Sequence, residues 1–386
     1  VAADSYDVVV VGGGPAGSTC ARLCALQGLS VCLIEEHAAA GHPVQCAGLL
    51  SAAAFGECEV SRRSVLHEVS GARIVTGMGS ELSFDAGRTR AFVVDRAMLD
   101  QEMIMAAARA GAEIRVKTAC TGRSGHTIRT RGQSGRRDLS FRVLIAADGP
   151  RSGIARELGM ERARAYLSGV QAEIRRDMDG RMVELYPDAS PDFFGWIIPS
   201  GRGRARIGLA GQQDVPGRFE RFLRTMEAGS CLHFVSGTIP LGVMPKTFGH
   251  RTLFVGDAAG FPKPTSGGGI YTGVRSARHA ARVAGEACRE QDVSDRVLSA
   301  YERCWKADFG RELEYGFRLF RLRQQITPAE MDRLVQALND PGVIHDILRY
   351  SDMDRPGAVF RRILRNPAVY PVLGILLKKT VANFFK

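Results

Sequence analysis

The stretch that most constrains this chain is its opening, Tyr6-Asp7-Val8-Val9-Val10-Val11-Gly12-Gly13-Gly14-Pro15-Ala16-Gly17-Ser18, followed by an alanine-rich run and a second apolar run ending at Glu35. Four consecutive valines predict a buried parallel strand. Gly12-x-Gly14-x-x-Gly17 then supplies the tight turn, the close backbone approach and the close helix packing that a pyrophosphate site needs. The helix after it aims free N–H groups and a positive dipole end at the phosphates. The second strand, Ser30 to Ile34, delivers Glu35 near the roughly 20-residue spacing of an acid that binds ribose hydroxyls. A glycine turn alone would be only a turn. Strand, helix, strand and acid in that order predict a dinucleotide site, without saying which dinucleotide.

A chain of 386 residues has room for two or three domains, and 45% hydrophobic with 24% charged residues suits a globular protein. The excess of 52 Lys and Arg over 41 Asp and Glu, a net charge of +11, favours an anionic partner. The nine cysteines have no CxxC pair, which predicts a reduced, cytoplasmic chain and no metal site. Too few residues precede the first strand for a signal peptide. No apolar run approaches the ~20 residues of a spanning helix; the longest late one, 368–377, contains Pro371 and Gly374. The chain is therefore not expected to cross a membrane.

After Glu35 comes a loop holding Gly41-His42-Pro43-Val44-Gln45-Cys46-Ala47-Gly48, in which proline and glycine display the cysteine. His42 reads as a solvated loop residue. From Ser70 to Val94 short alternating strands with glycine breaks predict an inserted antiparallel sheet. Asp95 caps a helix with Met98, Leu99, Met103, Ile104 and Ala107 at helical spacing. Glu113 to Lys117 and Arg142 to Ala147 read as returning strands of the first domain. Residues 168–240 return to strand alternation around a helix near Gly217 to Glu227, a buried strand Leu253 to Val255 leads to a long helix from about Gly269, and the chain is helical from Asp292. The expected domains are a nucleotide-binding one over 1–165, with inserted strands about 60–94, closed by 246–290. An antiparallel-sheet substrate domain spans 166–245, and a helical, basic domain 291–386.

Two more strands stop at acids. Ile145-Ala146-Ala147-Asp148-Gly149-Pro150-Arg151 and Leu253-Phe254-Val255-Gly256-Asp257 each put an aspartate at a strand's C-terminal end, where ligands bind open α/β sheets. The ordered set GxGxxG, Asp-Gly and Gly-Asp resembles the FAD-dependent group that includes aromatic hydroxylases, flavin-dependent halogenases and geranylgeranyl reductases, over about residues 5–290. The resemblance implies an α/β fold of the p-hydroxybenzoate hydroxylase type: a Rossmann-type FAD-binding domain, an inserted antiparallel β-sheet substrate domain and a helical C-terminal region. It implies FAD as cofactor, with Asp257 on the ribityl chain, Glu35 on the adenosine ribose and Arg96 near the phosphates. Gly12, Gly14, Pro15, Ala16, Gly17, Glu36, Cys46, Ala47, Gly48, Asp148, Gly149, Gly256, Gly268, Gly269 and Ile270 complete the expected cofactor contacts.

Within that group three places resemble geranylgeranyl reductases, archaeal digeranylgeranylglycerophospholipid reductases in particular. Pro43-Val44-Gln45-Cys46-Ala47-Gly48 is similar to their PxxCxG motif, and Pro264-Thr265-Ser266-Gly267-Gly268-Gly269-Ile270 to their flavin-facing loop. Phe194-Gly195-Trp196-Ile197-Ile198-Pro199, with Gly208-Leu209-Ala210 beyond, resembles their YxWxFP…GxG cavity motif, with Phe194 for Tyr, Ile198 for Phe and Ala210 for the last Gly. Phe194, Trp196, Ile198, Pro199, Gly208 and Pro264 are thus expected at the substrate. The same stretch is close to the WxWxIP marker of halogenases, which need an early lysine; none precedes Lys117. An aromatic monooxygenase or halogenase is the rival reading, and a membrane-associated flavoprotein electron carrier a further one.

Saturating an unactivated C=C requires a hydride donor, a proton donor and a site that excludes water. Reduced flavin supplies the first, Cys46 is the candidate nearest the second, and Gly267, Gly268 and Gly269 let backbone approach the ring. For Cys46 a buried inert thiol is the plain alternative. The implied partners are an isoprenoid lipid and a donor of electrons, whether a protein, reduced nicotinamide or deazaflavin. The tail over 351–386 interleaves Arg355, Arg361, Arg362, Arg365, Lys378, Lys379 and Lys386 with Phe360, Ile363, Leu364, Tyr370, Leu376, Leu377, Phe384 and Phe385. It reads equally as a segment lying on an anionic membrane at the cytoplasmic face or as a cap packed on the protein. No element for reading nucleic acid is present.

Overall fold

The computed structural model describes residues 4–133, 135–201, 203–372 and 374. Its first sheet runs, across the strands, Phe248–Gly249, Thr252–Phe254, Gly135–Ala146, Asp4–Val11, Val31–Ile34 and Glu113–Arg115, with a hairpin of Ala119–Ser124 and Thr127–Gly132 added to the long strand. The valine strand has parallel partners on both sides, and Val8, Val9 and Val10 are wholly buried. Register explains the site: Val11 lies opposite both Ile34 and Ala146, and Ala146 opposite Phe254. Gly12, Glu35, Ala147-Asp148 and Val255-Gly256-Asp257 therefore leave the sheet along one edge, the crevice where open α/β sheets bind ligands. Helices Pro15–Leu26, Arg96–Arg109 and Ile270–Arg289 pack together on this sheet. Asp95 caps the second by accepting from the Met98 N–H at 3.0 Å.

A seven-stranded sheet stands over that crevice, in the order Cys231–Leu241, Ala165–Arg175, Arg204–Gly211, Gly195–Gly201, Met182–Tyr186, Gly71–Val75 and Glu81–Asp85. Here the fold differs from the single inserted sheet expected over Ser70 to Val94. Gly71–Val75 pairs in parallel with Met182–Tyr186 and joins the large sheet, whereas Ala91–Val94 joins Leu49–Ser51 and Val65–Val69 in a separate three-stranded sheet. An isolated hairpin is marginal in water, so strands 71–85 gain burial by extending a larger sheet. Alternation divides the large sheet by face. Ala172, Ile174, Ile197, Ile207 and Leu209, all fully buried, pack on Val215, Phe219 and Phe222 of helix Val215–Thr225. Trp196 and Ile198, with Gln171, turn the other way, toward the crevice.

From Asp295 the chain is helical: Asp295–Trp305, a π-turn at Lys306–Gly310, then Arg311–Arg323, Pro328–Leu338, Pro341–Tyr350 and Gly357–Ile363. The first two are anchored by Trp305 and Phe309, whose rings lie 5.0 and 5.4 Å from that of Phe261. Among the described residues no helix is long and apolar enough to cross a membrane.

Candidate active site

The strand ends open onto one continuous cavity of about 1730 Å³. At its first end Gly12 and Gly17 leave no room for substitution. A Cβ on Gly12, where φ is +106°, would meet the Ala147 carbonyl oxygen at 2.2 Å, and one on Gly17 would meet the Gly12 carbonyl oxygen at 1.9 Å. Gly14 faces open space, and no side chain caps the helix N-terminus that it begins, so backbone N–H groups face the cavity. Glu35 is held by the turn it faces: one oxygen accepts from the Gly13 N–H at 2.7 Å, the other from the His37 N–H at 2.9 Å.

Three partly buried polar groups surround the next part of the cavity. Asp148 accepts from the Ile154 N–H at 3.1 Å through Oδ2, while its buried Oδ1 has no partner. Burial pushes the Asp148 carboxyl up, and burial likewise raises Asp257 to about 6, against the pull of Arg96. Arg96 forms two bonds with Asp100, at 3.1 and 2.9 Å. Burial opposes its charge, but Asp100 and Cys46 outweigh that and hold the guanidinium above its usual range. An orphaned acceptor, a second, partly buried acid, free N–H groups and a glycine cradle fit a dinucleotide's hydroxyls and phosphates. The residues present therefore fit FAD.

Cys46 lines the cavity on the loop after Glu35, its Sγ 3.3 Å from the Gly48 N–H. The loop is clamped from the large sheet by Arg206, which donates to the carbonyls of Ala47 at 2.7 Å and Val94 at 3.2 Å. Gly48, at φ +75°, is what admits that guanidinium, since a Cβ there would lie 2.3 Å from its Nη1. Opposite, residues 261–269 close on themselves through Gly267 N–H to Lys263 O at 2.8 Å and Lys263 N–H to Gly268 O at 3.1 Å. They end at the uncapped N-terminus of helix Ile270–Arg289. A Cβ on Gly269 would sit 2.8 Å from Asp257 Oδ1, so this loop and the Gly-Asp turn are in close contact.

Gly12, Gly14, Pro15, Ala16, Gly17, Glu35, Glu36, Cys46, Ala47, Arg96, Asp148, Gly149, Gly256, Asp257, Gly267, Gly268, Gly269 and Ile270 all border the one cavity, as do Phe194, Trp196, Ile198 and Pro264. Gly48, Pro199 and Gly208 stand behind the wall. Gly208 lies opposite Trp196 in the ladder, and a Cβ there would meet the indole at 2.6 Å, so it is the seat on which the ring lies flat. The indole N–H donates to Gln171 at 2.9 Å, and Phe193 stacks on Phe194 at 4.3 Å.

The other end of the cavity was not readable from motifs. Phe320, Ile326, Leu334, Val335, Leu338 and Ile347 line it, and so do Phe360, Ile363 and Leu364. The last three are apolar residues of the basic tail, and they face the cavity rather than outward. Leu376, Leu377, Lys378, Lys379, Phe384, Phe385 and Lys386 lie outside the described residues. Sequence reasoning also passed over Arg206 and Lys263. A lone lysine between two prolines, in a chain with seven lysines, was the available signal for the second.

A glycine turn and three acids on parallel strand ends, roofed by a mostly antiparallel sheet, define a flavoprotein of the FAD-binding class. Residues 5–206 match the FAD binding domain family, so the chain belongs to it and its cofactor is FAD. More narrowly, the chain belongs to the family of the digeranylgeranylglycerophospholipid reductases. It is 34% identical to digeranylgeranylglycerophospholipid reductase 2 of Methanothermobacter thermautotrophicus over 86% of this chain and 91% of that one. A geranylgeranyl bacteriochlorophyll reductase-like protein of Thermoplasma acidophilum superposes with a TM-score of 0.87 at 26% identity, covering 98% of this chain and all of that one. The p-nitrophenol 4-monooxygenase of Pseudomonas putida, at 19% identity and TM-score 0.72 over 89% of this chain and 97% of that one, shares the fold.

Proposed function

We propose that this protein is an FAD-dependent reductase that saturates C=C bonds in the isoprenoid, geranylgeranyl-type chains of lipids. The observation that carries this reading is the continuity of the cavity. Its volume of about 1730 Å³ exceeds the roughly 300–1,000 Å³ of a drug-sized site, and from the glycine turn it runs past Cys46 and Trp196 into a wall of Phe, Leu, Ile and Val. A polar half for the cofactor continues into an apolar half suited to a long hydrocarbon. The family's reductases support the same chemistry.

In this reading 1–165, apart from the inserted strands, and 246–290 bind the cofactor, 166–245 carries the substrate sheet together with strands 71–85, and the helices from Asp295 to Ile363 close the apolar end. Glu35, Asp148 and Asp257 accept from hydroxyls, and the free N–H groups at Gly14 to Gly17 hold phosphate. When bound, FAD in its reduced form supplies the hydride. Cys46, displayed by the loop that Arg206 clamps, holds the proton for the second carbon at Sγ. Trp196, Phe194 and Ile198 orient the chain against the Gly267–Gly269 loop and keep water out. The electrons come from a donor protein, reduced nicotinamide or a deazaflavin. The protein works at the cytoplasmic face of an anionic membrane, where its substrate resides.

The test is anaerobic: the dithionite-reduced holoprotein is mixed with a geranylgeranylated lipid, and flavin absorbance is followed with lipid mass. Reoxidation with a gain of two hydrogens per double bond is the expected result. Flavin that stays reduced until air is admitted would sink the proposal and favour the monooxygenase. Cys46→Ala is expected to keep its FAD and lose about a hundredfold in rate, the scale of one general acid.

A further inference from the structure

We propose that Asp354 is a positioning residue of the flavin site: brought in by the C-terminal helices, it pairs with Lys263 and sets the charge that loop 261–269 presents to the ring. The proposal rests on FAD binding with its ring at loop 261–269, which borders the cavity, and is independent of the isoprenoid reading.

Lys263 is nearly buried, and its ammonium donates to Asp354 Oδ1 at 2.5 Å and to the Met353 carbonyl at 2.9 Å. Both members of the pair border the cavity. The lysine stem also lies against Gly268, with Cε 3.3 Å and Nζ 3.7 Å from where a Cβ would stand. Asp354 is 3% exposed, and its second oxygen accepts from Ser51 Oγ. Ser51 caps helix Ala52–Cys58, just beyond the Cys46 loop, by accepting from the Ala54 N–H at 2.9 Å. One carboxylate thus ties the glycine loop on one side of the cavity to the start of that helix on the other.

The segment that carries Asp354 is itself pinned. Arg355 binds Asp308 at 2.7 Å, and Asp308 also binds Arg275 at 2.7 Å and His279 at 2.9 Å on the long helix that begins at the glycine loop. Arg90 donates to Ser351 Oγ at 2.9 Å. Ser351, Asp352, Met353, Asp354 and Pro356 all border the cavity between its polar and apolar halves. A buried ion pair is held at a desolvation cost that well-packed apolar residues would avoid, so stability gives little reason for it. Charge beside a flavin ring has a different consequence, because it shifts the balance between oxidised and reduced forms. Lys263 alone would favour the electron-rich form, Asp354 alone would oppose it, and the pair holds the loop near neutrality.

The experiment is a spectroelectrochemical titration of the FAD-loaded full chain without substrate. Asp354→Asn, which frees the ammonium, is expected to raise the midpoint potential by about 30 mV, and Lys263→Met, which frees the carboxylate, to lower it by about the same. That corresponds to roughly tenfold in the oxidised-to-reduced ratio for a two-electron couple. The double variant is expected to return to within about threefold of the parent ratio. If Asp354→Asn does not hold FAD, Lys263→Met is read against charge-retaining Lys263→Arg, expected to be unshifted. Shifts of the same sign, or a Lys263→Met ratio within threefold of the parent, overturn the proposal. Isoprenoid turnover takes no part in the measurement, so failure here leaves the reductase reading intact.

Discussion

The two ends of the cavity are built on different principles. At the cofactor end, backbone makes the site: a Cβ added to Gly12 or Gly17 would lie only 2.2 or 1.9 Å from a carbonyl oxygen, a direct clash, and the acids stand at strand ends aligned by register. At the far apolar end, side chains from four separate helices make the wall, and none of those named sits at a positive φ. A backbone site tolerates almost no change and is written in a short motif. A side-chain wall tolerates substitution of similar volume, so its residues leave no motif.

That contrast breaks first at Gly17. Gly17→Ala is expected to cost at least about 3 kcal/mol, more than a hundredfold in FAD affinity, because the new methyl meets backbone that cannot move aside; fluorescence titration of the apoprotein measures it. A variant that binds FAD like the parent would remove the claim that backbone makes this end. Asp257 gives the next effect, on stability. Its carboxyl stands at about 6 when folded, above the ordinary 3.8, so the folded apoprotein keeps a proton that the unfolded chain releases. Stability therefore falls as pH rises from about 4 to about 6 and stays lower above that, and Asp148, raised in the same direction, adds to the fall. Asp257→Asn is expected to be the more stable apoprotein at pH 7 by up to about 3 kcal/mol, with the difference vanishing near pH 4 in urea unfolding, while binding FAD less tightly.

At the other end the effects are smaller. Trp196→Leu keeps an apolar wall but leaves Gln171 without its donor, and about a tenfold rise in KM for the isoprenoid with kcat little changed is expected from steady-state kinetics. Ile347→Val removes one methylene, worth about 0.8 kcal/mol, and is expected to change KM by no more than about fourfold. A larger loss for Ile347→Val than for Trp196→Leu would invert the comparison and place the specificity of the site in the C-terminal helices.

Most of the cofactor end was legible in the chain. The valine strand, Glu35, Asp95 as a cap, Asp148 and Asp257 all occur where local rules put them, because a turn, a cap or a strand end is specified by neighbours in sequence. Cys46, Trp196 and Ile198 were legible as motif members, though only alternation in the folded sheet sends Trp196 and Ile198 to the cavity and Ile197 to the core. The hairpin at 71–85 was legible as strands and misread in its partnership, since pairing with Met182–Tyr186 spans about a hundred residues that no local pattern records.

By itself, then, the sequence determined the dinucleotide-binding edge and the alternation of sheets and helices, since both depend on short-range geometry: glycine where a Cβ has no space, periodicity where one face is buried. Only the tertiary structure decided that Phe360, Ile363 and Leu364 turn inward to line the cavity, that Arg206 clamps the cysteine loop, and that Asp354 reaches Lys263 across 91 positions of chain. Those contacts are made by side chains far apart in sequence, and their partners are set by how the layers pack, which no single segment encodes.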